Sequence, residues 1–286
     1  WTGGLAFSET TTEDGRMMKI VITGAAGRMG RRVAALAIES EKFDIVAALE
    51  VGGHEAVGRD VGELAGVGTF GVAVATTLDE DADVMIDFSL PEGTMAFVPV
   101  CRERKIAMVT GTTGLTASQQ AEIADTAGEI AIVQAANFSV GINVLLNVVA
   151  MVARTLGGDY DIEVAETHHR FKKDAPSGTA IALARSICAA TGRDYGEAAV
   201  LGRGGLCPRK AGEIGMHALR VGDTVGEHVV HFGNLGETIH VGHSAHTRDT
   251  FVRGALRAAE WVARKRPGLY DMQDVLGMRS TDDSDR

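Results

Sequence analysis

Cysteine, proline and positive charge are all scarce in this 286-residue chain. The three cysteines, Cys101, Cys188 and Cys207, are widely separated and form no CxxC pair. An odd, scattered set does not suit a disulfide framework and fits reduced thiols in a cytoplasmic protein. Only five prolines stand against 36 glycines. Glycine spread through apolar stretches indicates tight βα turns and close backbone approaches, not disorder. Lys and Arg number 28 against 38 Asp and Glu, for a net charge of −10. That balance argues against a nucleic-acid surface, which is usually basic. It leaves room for a local cationic pocket, whose field extends over a Debye length of about 8 Å. No apolar run reaches the roughly 20 residues that span a bilayer, so no membrane partner is expected. The leading WTGGLAFSETTTEDGRM is polar, with neither a cationic start nor a long apolar segment, and does not read as a secretory signal. Residues 1–16 read as a disordered extension to a protein that starts at Met17 or Met18.

A hydrophobic content of 45% is enough for one large or two modest domains. MKIVIT (18–23) is a short β-branched run, GAAGRMG follows it, and RRVAALAIES then places Val33, Leu36 and Ala37 on one helical face. DIVAALE (44–50) completes a βαβ unit of the expected length. Residues 51–71 are glycine-rich and weakly patterned. ADVMIDFS (82–89), IAMVT (106–110) and IAIVQAANFS (130–139) read as strands. Pro91 opens one helix between them, and Thr116 with Gln119 makes a capping-box start for another. Near-continuous apolar strands alternating with helices imply a parallel sheet covered on both faces. After about residue 143 the pattern changes. VLLNVVAMVARTL is a long apolar helix, DIEVAETHHR an alternating strand, and TAIALARSICAAT a helix. GMHALRVGD, GEHVVHFGN and GETIHVGHSA then recur every ten residues or so with Gly-Asp and Gly-Asn turns, a signal of antiparallel hairpins. TFVRGALRAAEWVARK closes the chain as an amphipathic helix, with DSDR as a frayed end. The expected fold is α/β, with a Rossmann-type parallel-sheet domain over 17–142 and 251–286. A second α+β domain with a mainly antiparallel sheet covers 143–250.

Gly24-Ala25-Ala26-Gly27-Arg28-Met29-Gly30 follows a strand and opens a helix. Such a turn brings backbone amides close to a pyrophosphate at the positive helix end. Glu50 ends the second strand, where a carboxylate would accept hydrogen bonds from an adenosine ribose. Gly111-Thr112-Thr113 and Ala135-Ala136-Asn137-Phe138 fall at the carboxyl ends of two later strands, where ligands of open parallel sheets bind. These are the candidate dinucleotide-binding residues.

ETHHRFKKDAPSGTA (166–180) gathers His168, His169, Lys172 and Lys173 just past a strand. Ser177-Gly178-Thr179 then starts a helix behind Pro176. Helix-start amides, a mobile lysine ammonium and a threonine hydroxyl form a pocket for a carboxylate, with a histidine able to move a proton near neutral pH.

This segment closely resembles the dihydrodipicolinate reductase signature E-x-H-H-x-x-K-x-D-A-P-S-G-T-A. The likeness extends to GAAGRMG, VMIDFSLPEGT, VTGTTG, AANFSVGINV, VGEHVVHF and LYDMQDVLG, covering the chain from Met18 to about Gly277. The resemblance implies a proton-transferring His168, a proton-donating Lys172, and substrate contacts from His169, Ser177, Gly178 and Thr179. It puts the pyrophosphate on the turn from Gly24 to Met29 and Glu50 on the ribose. The nicotinamide then lies beside Gly111, Thr112, Thr113, Ala135, Ala136, Asn137 and Phe138. It further implies NADH or NADPH as hydride donor, a cyclic dicarboxylate substrate of the diaminopimelate route to lysine, and a homotetramer joined through the second domain's sheets. Val51 stands where many relatives carry an arginine for a 2′-phosphate, although Arg28 could still reach one. Both cofactors are therefore expected to work, with NADPH less favoured than in arginine-bearing relatives.

His240, His243 and His246 have a metal-like spacing, with His228 nearby, but residues three apart on a strand face opposite ways, so no metal site is expected. His231 and His240 are weak candidates for the substrate cleft. Two other readings compete. One is a different two-domain dehydrogenase acting on an amino acid or aldehyde, which would lack the HH-x-x-K-x-DAPSGT loop. The other is a nucleotide-sensing module without turnover, against which the intact proton donor argues.

Overall fold

The computed structural model describes residues 16–279. The expected extension, apart from Arg16, and the expected frayed DSDR lie outside the described residues. Arg16 itself is anchored, its guanidinium donating to both Asp83 oxygens at 2.8 and 2.9 Å. The described residues form two units, 16–138 with 252–279, and 139–251. The first boundary falls four residues ahead of the expected 142/143, because Ser139 is already the N-cap of the second unit's first helix. The second falls one residue after 250/251.

The first unit carries β1 (Met18–Thr23), α1 (Arg28–Ser40), β2 (Phe43–Leu49), α2 (Val61–Ala65), β3 (Val74–Ala75), β4 (Val84–Asp87), α3 (Pro91–Arg104), β5 (Ala107–Thr110), α4 (Ala117–Thr126) and β6 (Ala131–Gln134). Its seven strands pair in parallel in the order β12-β6-β5-β4-β1-β2-β3, β12 (Gly268–Tyr270) returning from the end of the chain. Ile20, Val21, Ile22, Val84, Met85 and Ile86 are buried on both faces of the sheet, which accounts for the unbroken apolar strands. The Thr116–Gln119 capping box is formed. The weakly patterned 51–71 stretch contains α2, held by Asp60, whose carboxylate accepts four backbone amides. Short α2, β3 and β12 were not legible because too few residues carry a periodicity.

The second unit contains α5 (Val140–Leu156), β7 (Asp161–His168), α6 (Gly178–Thr191), α7 (Tyr195–Ala198), β8 (Ala199–Leu201), β9 (Ile214–Arg220), β10 (Gly226–Asn234) and β11 (Glu237–Ala245). Its sheet runs β11-β10-β7-β9-β8. Only β10–β11 is a hairpin of the expected kind. β7 inserts between β9 and β10, antiparallel to β10 and parallel to β9, and β8 is parallel to β9. The sheet is therefore mixed, since local turn signals cannot reveal a strand inserted from fifty residues earlier. Ile162, Val164 and Phe232 on one face of this sheet share a core with Leu145 and Val149 of α5 and Leu183 and Ile187 of α6.

Contrary to the expectation that no stretch reaches membrane-spanning length, Val140–Asp159 is long and apolar enough by length and composition, with a mean hydropathy of 1.6. Asn143, Asn147 and Arg154 break its apolar run, and its Ile142, Leu145, Val149 and Ala153 are buried in the unit's core. α8 (Asp249–Val262) follows and supplies Val252, Ala255, Ala259 and Val262 to the first unit's core, which α9 (Met272–Val275) also joins.

Candidate active site

Gly24 has φ +67°, and a Cβ there would stand 2.7 Å from the Phe88 carbonyl oxygen, so the turn demands glycine. A Cβ at Gly30 would come within 2.2 Å of the Gly24 carbonyl oxygen, the close packing of α1 on the turn that the glycine pattern implies. Gly27 caps α1 without any side-chain bond, and the first turn holds no acidic residue. The opening amides of α1 thus keep their capacity for an anion. Ala25 is fully buried beneath the turn. The Ala26 and Val51 amides both donate to Glu50, at 3.1 Å each, which fixes that carboxylate at the carboxyl end of β2.

A cavity of about 600 Å³ opens here, lined by Gly24, Ala26, Gly27, Glu50 and Val51. Leu90 and Glu92 at the start of α3, within the VMIDFSLPEGT stretch, also line it, as do Phe97, His54 and Thr76, which no sequence signal marked. Arg28 and Met29 do not line it. The uncapped helix start, the fixed ribose-type carboxylate and the cavity volume, within the usual 300–1,000 Å³ or so for cofactor sites, fit the adenosine half of a dinucleotide.

The remaining cofactor candidates divide by burial. Thr113 and Ala136 are exposed, and Gly111, Ala135 and Asn137 partly so. Thr112 and Phe138 turn inward instead, Phe138 meeting Phe88 edge-on at 5.8 Å, so only their backbones can face a ligand. A Cβ at Gly111 would strike the Phe88 ring at 2.3 Å.

Thr112 points to a residue that sequence reading missed. Asp87, fully buried at the end of β4, accepts hydroxyl bonds from Thr23 (2.7 Å), Ser89 (2.6 Å), Thr94 (2.7 Å), Thr110 (2.8 Å) and Thr112 (3.0 Å), and the Ser89 amide at 3.1 Å. One carboxylate thereby ties the ends of β1, β4 and β5, the start of α3 and the Gly111–Thr113 loop together.

In the second unit, β7 alternates buried and partly exposed residues, so Glu166 and His168 share its covered face. Glu166 is 1% exposed and His168 9%. Glu166 Oε2 lies 2.6 Å from His168 Nδ1. Arg220, from the end of β9, donates to both Glu166 oxygens at 2.8 Å, and the Ser177 amide donates at 3.0 Å. Burial pushes the Glu166 carboxyl up, but the Arg220 fork, His168 and the Ser177 amide outweigh it and hold it below the usual carboxylate range. Burial lowers the His168 imidazole; Glu166 opposes that, and the charges of Lys172 and Arg220 add to it. His228 of β10, level with Glu166 in register, stacks edge-on against His168 at 5.1 Å. Burial first, then His168, pushes it down to about 4.

Ser177 is the N-cap of α6, its hydroxyl accepting from the Ala180 amide and lying 3.2 Å from His228 Nε2. Gly178 and Thr179 form the first turn, and a Cβ at Gly178 would meet nothing within 4 Å. Lys172, expected to be mobile, is held by Asp174 at 2.9 Å, because its loop turns the two side chains together. His169 and Lys173 share this loop; the His169 Nδ1 is buried without a protein partner. The sequence analysis gave Glu166 and Arg220 no role, and weighed His228 only as a neighbour of the rejected metal-like histidines. Glu166 carried a usable signal, two residues ahead of His168 on a strand, whereas Arg220 and His228 arrive by pairing of distant strands. The weak candidates His231 and His240 face each other at 2.7 Å on the other face of the sheet, away from His168. Among the described residues no group of three or more His, Cys, Asp or Glu could hold a metal ion.

Comparisons with known proteins place the chain in a family. The family model for the dihydrodipicolinate reductase N-terminus matches residues 18–138 and that for the C-terminus residues 141–276. The 4-hydroxy-tetrahydrodipicolinate reductase of Citrifermentans bemidjiense is 48% identical over 267 residues, 92% of this chain and 100% of that protein. That of Geobacter sulfurreducens is also 48% identical with the same coverage. Among solved structures, a dipicolinate-bound dihydrodipicolinate reductase from Paenisporosarcina superposes with a TM-score of 0.71 at 22% identity, over 91% of this chain and 99% of that one. GenD2 of gentamicin A biosynthesis, in complex with NAD, gives 0.57 at 14% identity over 94% and 93%, a likeness of fold alone. With both halves matched by the family's models and near-half identity along the shared length, this chain belongs to the dihydrodipicolinate reductase family.

Proposed function

We propose that the chain is a 4-hydroxy-tetrahydrodipicolinate reductase, which converts its substrate, through the dehydrated imine, to tetrahydrodipicolinate in the diaminopimelate route to lysine. The observation that carries this reading is the joint placement of His168 and the first turn of α6 on one carboxylate, Glu166, with Lys172 on the connecting loop. A ring bearing two carboxylates needs cations and directed amides. Gly178 and Thr179 would grip one carboxylate at the helix start, His169 would add a contact, and Lys172, released from Asp174, would meet the charge and supply a proton.

The nicotinamide cofactor supplies the hydride. The turn from Gly24 to Met29 would hold its pyrophosphate and Glu50 its ribose, while Gly111, Thr113 and Ala136 would line the nicotinamide side. Hydride addition to the conjugated imine leaves electron density that a proton must quench. His168 and Lys172 move that proton, a step that typically contributes roughly 10²–10⁴-fold. Val51 in the adenosine cavity gives no partner to a 2′-phosphate, so NADH and NADPH both serve, without a strong NADPH preference. We read the enzyme as a cytoplasmic homotetramer, a state that sedimentation would test. The activity test is loss of NADH absorbance with the substrate generated in situ by its synthase. No turnover under those conditions refutes the function, and a hundredfold NADPH preference in kcat/KM refutes the cofactor reading.

A further inference from the structure

We propose that Glu166 is a positioning residue for the reduction, holding His168 in one tautomer and the first turn of α6 in one place, so that proton and substrate carboxylate share a reference point. The inference rests on the function proposed above and gives a role to the carboxylate on which that site's residues meet.

The geometry decides where the shared proton sits. Glu166 Oε1 takes the Ser177 amide and one arm of Arg220, and Oε2 takes the other arm and His168. A carboxylate surrounded by donors has no proton to give, so at 2.6 Å the hydrogen belongs to His168 Nδ1. The ring's second nitrogen, Nε2, is left for proton exchange. Gly226 stands beside it, and a Cβ there would sit 3.1 Å from Nε2, so a side chain at that position would crowd the exchanging atom.

The same carboxylate fixes the anion grip. The Ser177 amide it accepts lies one residue ahead of Gly178, and Ser177 caps α6 through its own hydroxyl. Arg220 extends the clamp by donating to the Asp174 carbonyl at 2.6 Å, pinning the loop that carries Lys172. When Nε2 gives up its proton, the ring returns to its neutral Nδ1–H form while Glu166 stays ionised, so no atom of the clamp has to move.

The charged and titratable groups that face His168 are Glu166 on its own strand, Arg220 from β9, His228 from β10 and Lys172 from the loop. Glu166 favours the imidazolium; Arg220 and Lys172 disfavour it. This gives a signed test on the free enzyme, read by nitrogen-15 NMR of labelled histidine and by the pH profile of kcat. Glu166→Gln is expected to move the His168 titration further down and to mix its tautomers. It should lower kcat by on the order of 10- to 100-fold, part of what proton transfer contributes, weaken binding of a pyridine dicarboxylate, and leave the NADH Kd unchanged. Arg220→Met is expected to move the titration up and keep the Nδ1–H tautomer. Glu163→Gln removes a carboxylate from the opposite face of β7 and should leave His168 unmoved.

Mere damage that opened the pocket would relieve burial and drive His168 up in both clamp variants. An upward or absent shift in Glu166→Gln therefore overturns the proposal. Should that variant not fold, Arg220→Met decides by its tautomer: Glu166 still holds the Nδ1–H form there, and mixed tautomers or an unchanged or lowered titration overturn the proposal. An equal shift in Glu163→Gln overturns it as well. A negative NMR result with His168→Gln still inactive removes the positioning role and leaves the proposed function standing.

Discussion

Each unit buries one carboxylate at its working end, and the two are held in opposite ways. Asp87 is surrounded only by neutral donors, five hydroxyls and an amide, converging from two other strand ends, two loops and the first turn of α3. Glu166 is held by a guanidinium fork, an imidazole and a single amide. Hydroxyls do not titrate in the working range, so every side-chain donor of the Asp87 cluster keeps one form while the enzyme works. In the proposed mechanism the Glu166 cluster contains a group whose charge changes during turnover, and its fixed cation keeps the carboxylate from taking part in that change. Asp87 acts outside its cluster too: after burial, its charge is the next cause that pushes the Cys101 thiol up to about 12. A cofactor platform needs rigidity, whereas a proton-transfer site needs one movable proton in an otherwise fixed frame.

The contrast breaks most severely if chemistry and cofactor binding fail to separate. His168→Gln and Lys172→Ala should each lower kcat by roughly 10²–10⁴-fold while NADH affinity, measured by fluorescence titration, stays near wild type. A variant retaining near-normal turnover would remove that residue's assigned role. Next in size, Asp87→Asn leaves hydroxyl donors facing an amide. It should cost on the order of 3 kcal/mol, a fall in Tm of roughly 10 °C, and weaken cofactor binding without moving the pH profile of kcat. A shifted profile would show that the two clusters are not different in kind. Within the cofactor cavity, Val51→Arg should raise NADPH over NADH in kcat/KM by roughly tenfold, the value of one charge-assisted hydrogen bond; no change would mean the 2′-phosphate lies elsewhere.

The smallest effect sharpens the comparison from the acid side. His228 is held near 4, against about 6.5 for an unfolded histidine. The unfolded chain therefore binds more protons between those values, and stability falls as pH drops from about 6.5 toward 4. Glu166, depressed in the fold, adds a loss that begins near the unfolded carboxyl value of about 4.3 and deepens below it. Replacing His228 by Gln should flatten the first part of the Tm–pH curve; an unchanged slope would show that its burial is not the source.

Much of this was legible beforehand. The parallel first sheet followed from unbroken apolar strands alternating with helices, and the glycine turn from its place between β1 and α1. The 166–180 loop stood out because cations, proline and a helix start crowd into fifteen residues. What stayed hidden had one kind of cause. The hairpin turns suggested that β9, β10 and β11 pair in succession, yet β7 separates β9 from β10 and makes the sheet mixed. The inward turn of the Thr112 and Phe138 side chains, which leaves only their backbones to face a ligand, was equally invisible at those strand ends. Lys172 looked free because sequence does not show that Asp174, two residues on, closes on it.

By itself, the sequence determined the local chemistry: which strands are buried on both sides, where helices begin, which turns require glycine, and which loop carries the imidazoles and amines. These depend on residues within one or two turns of each other, so periodicity and capping report them directly. Only the tertiary structure decided which distant groups share a carboxylate. Thr23, Thr94 and Thr110 reach Asp87, and Arg220 and His228 reach the Glu166–His168 pair, because strand order and register set those approaches. Strand pairing is chosen by packing and hydrogen bonding summed over a whole sheet, and no local segment of the chain encodes it.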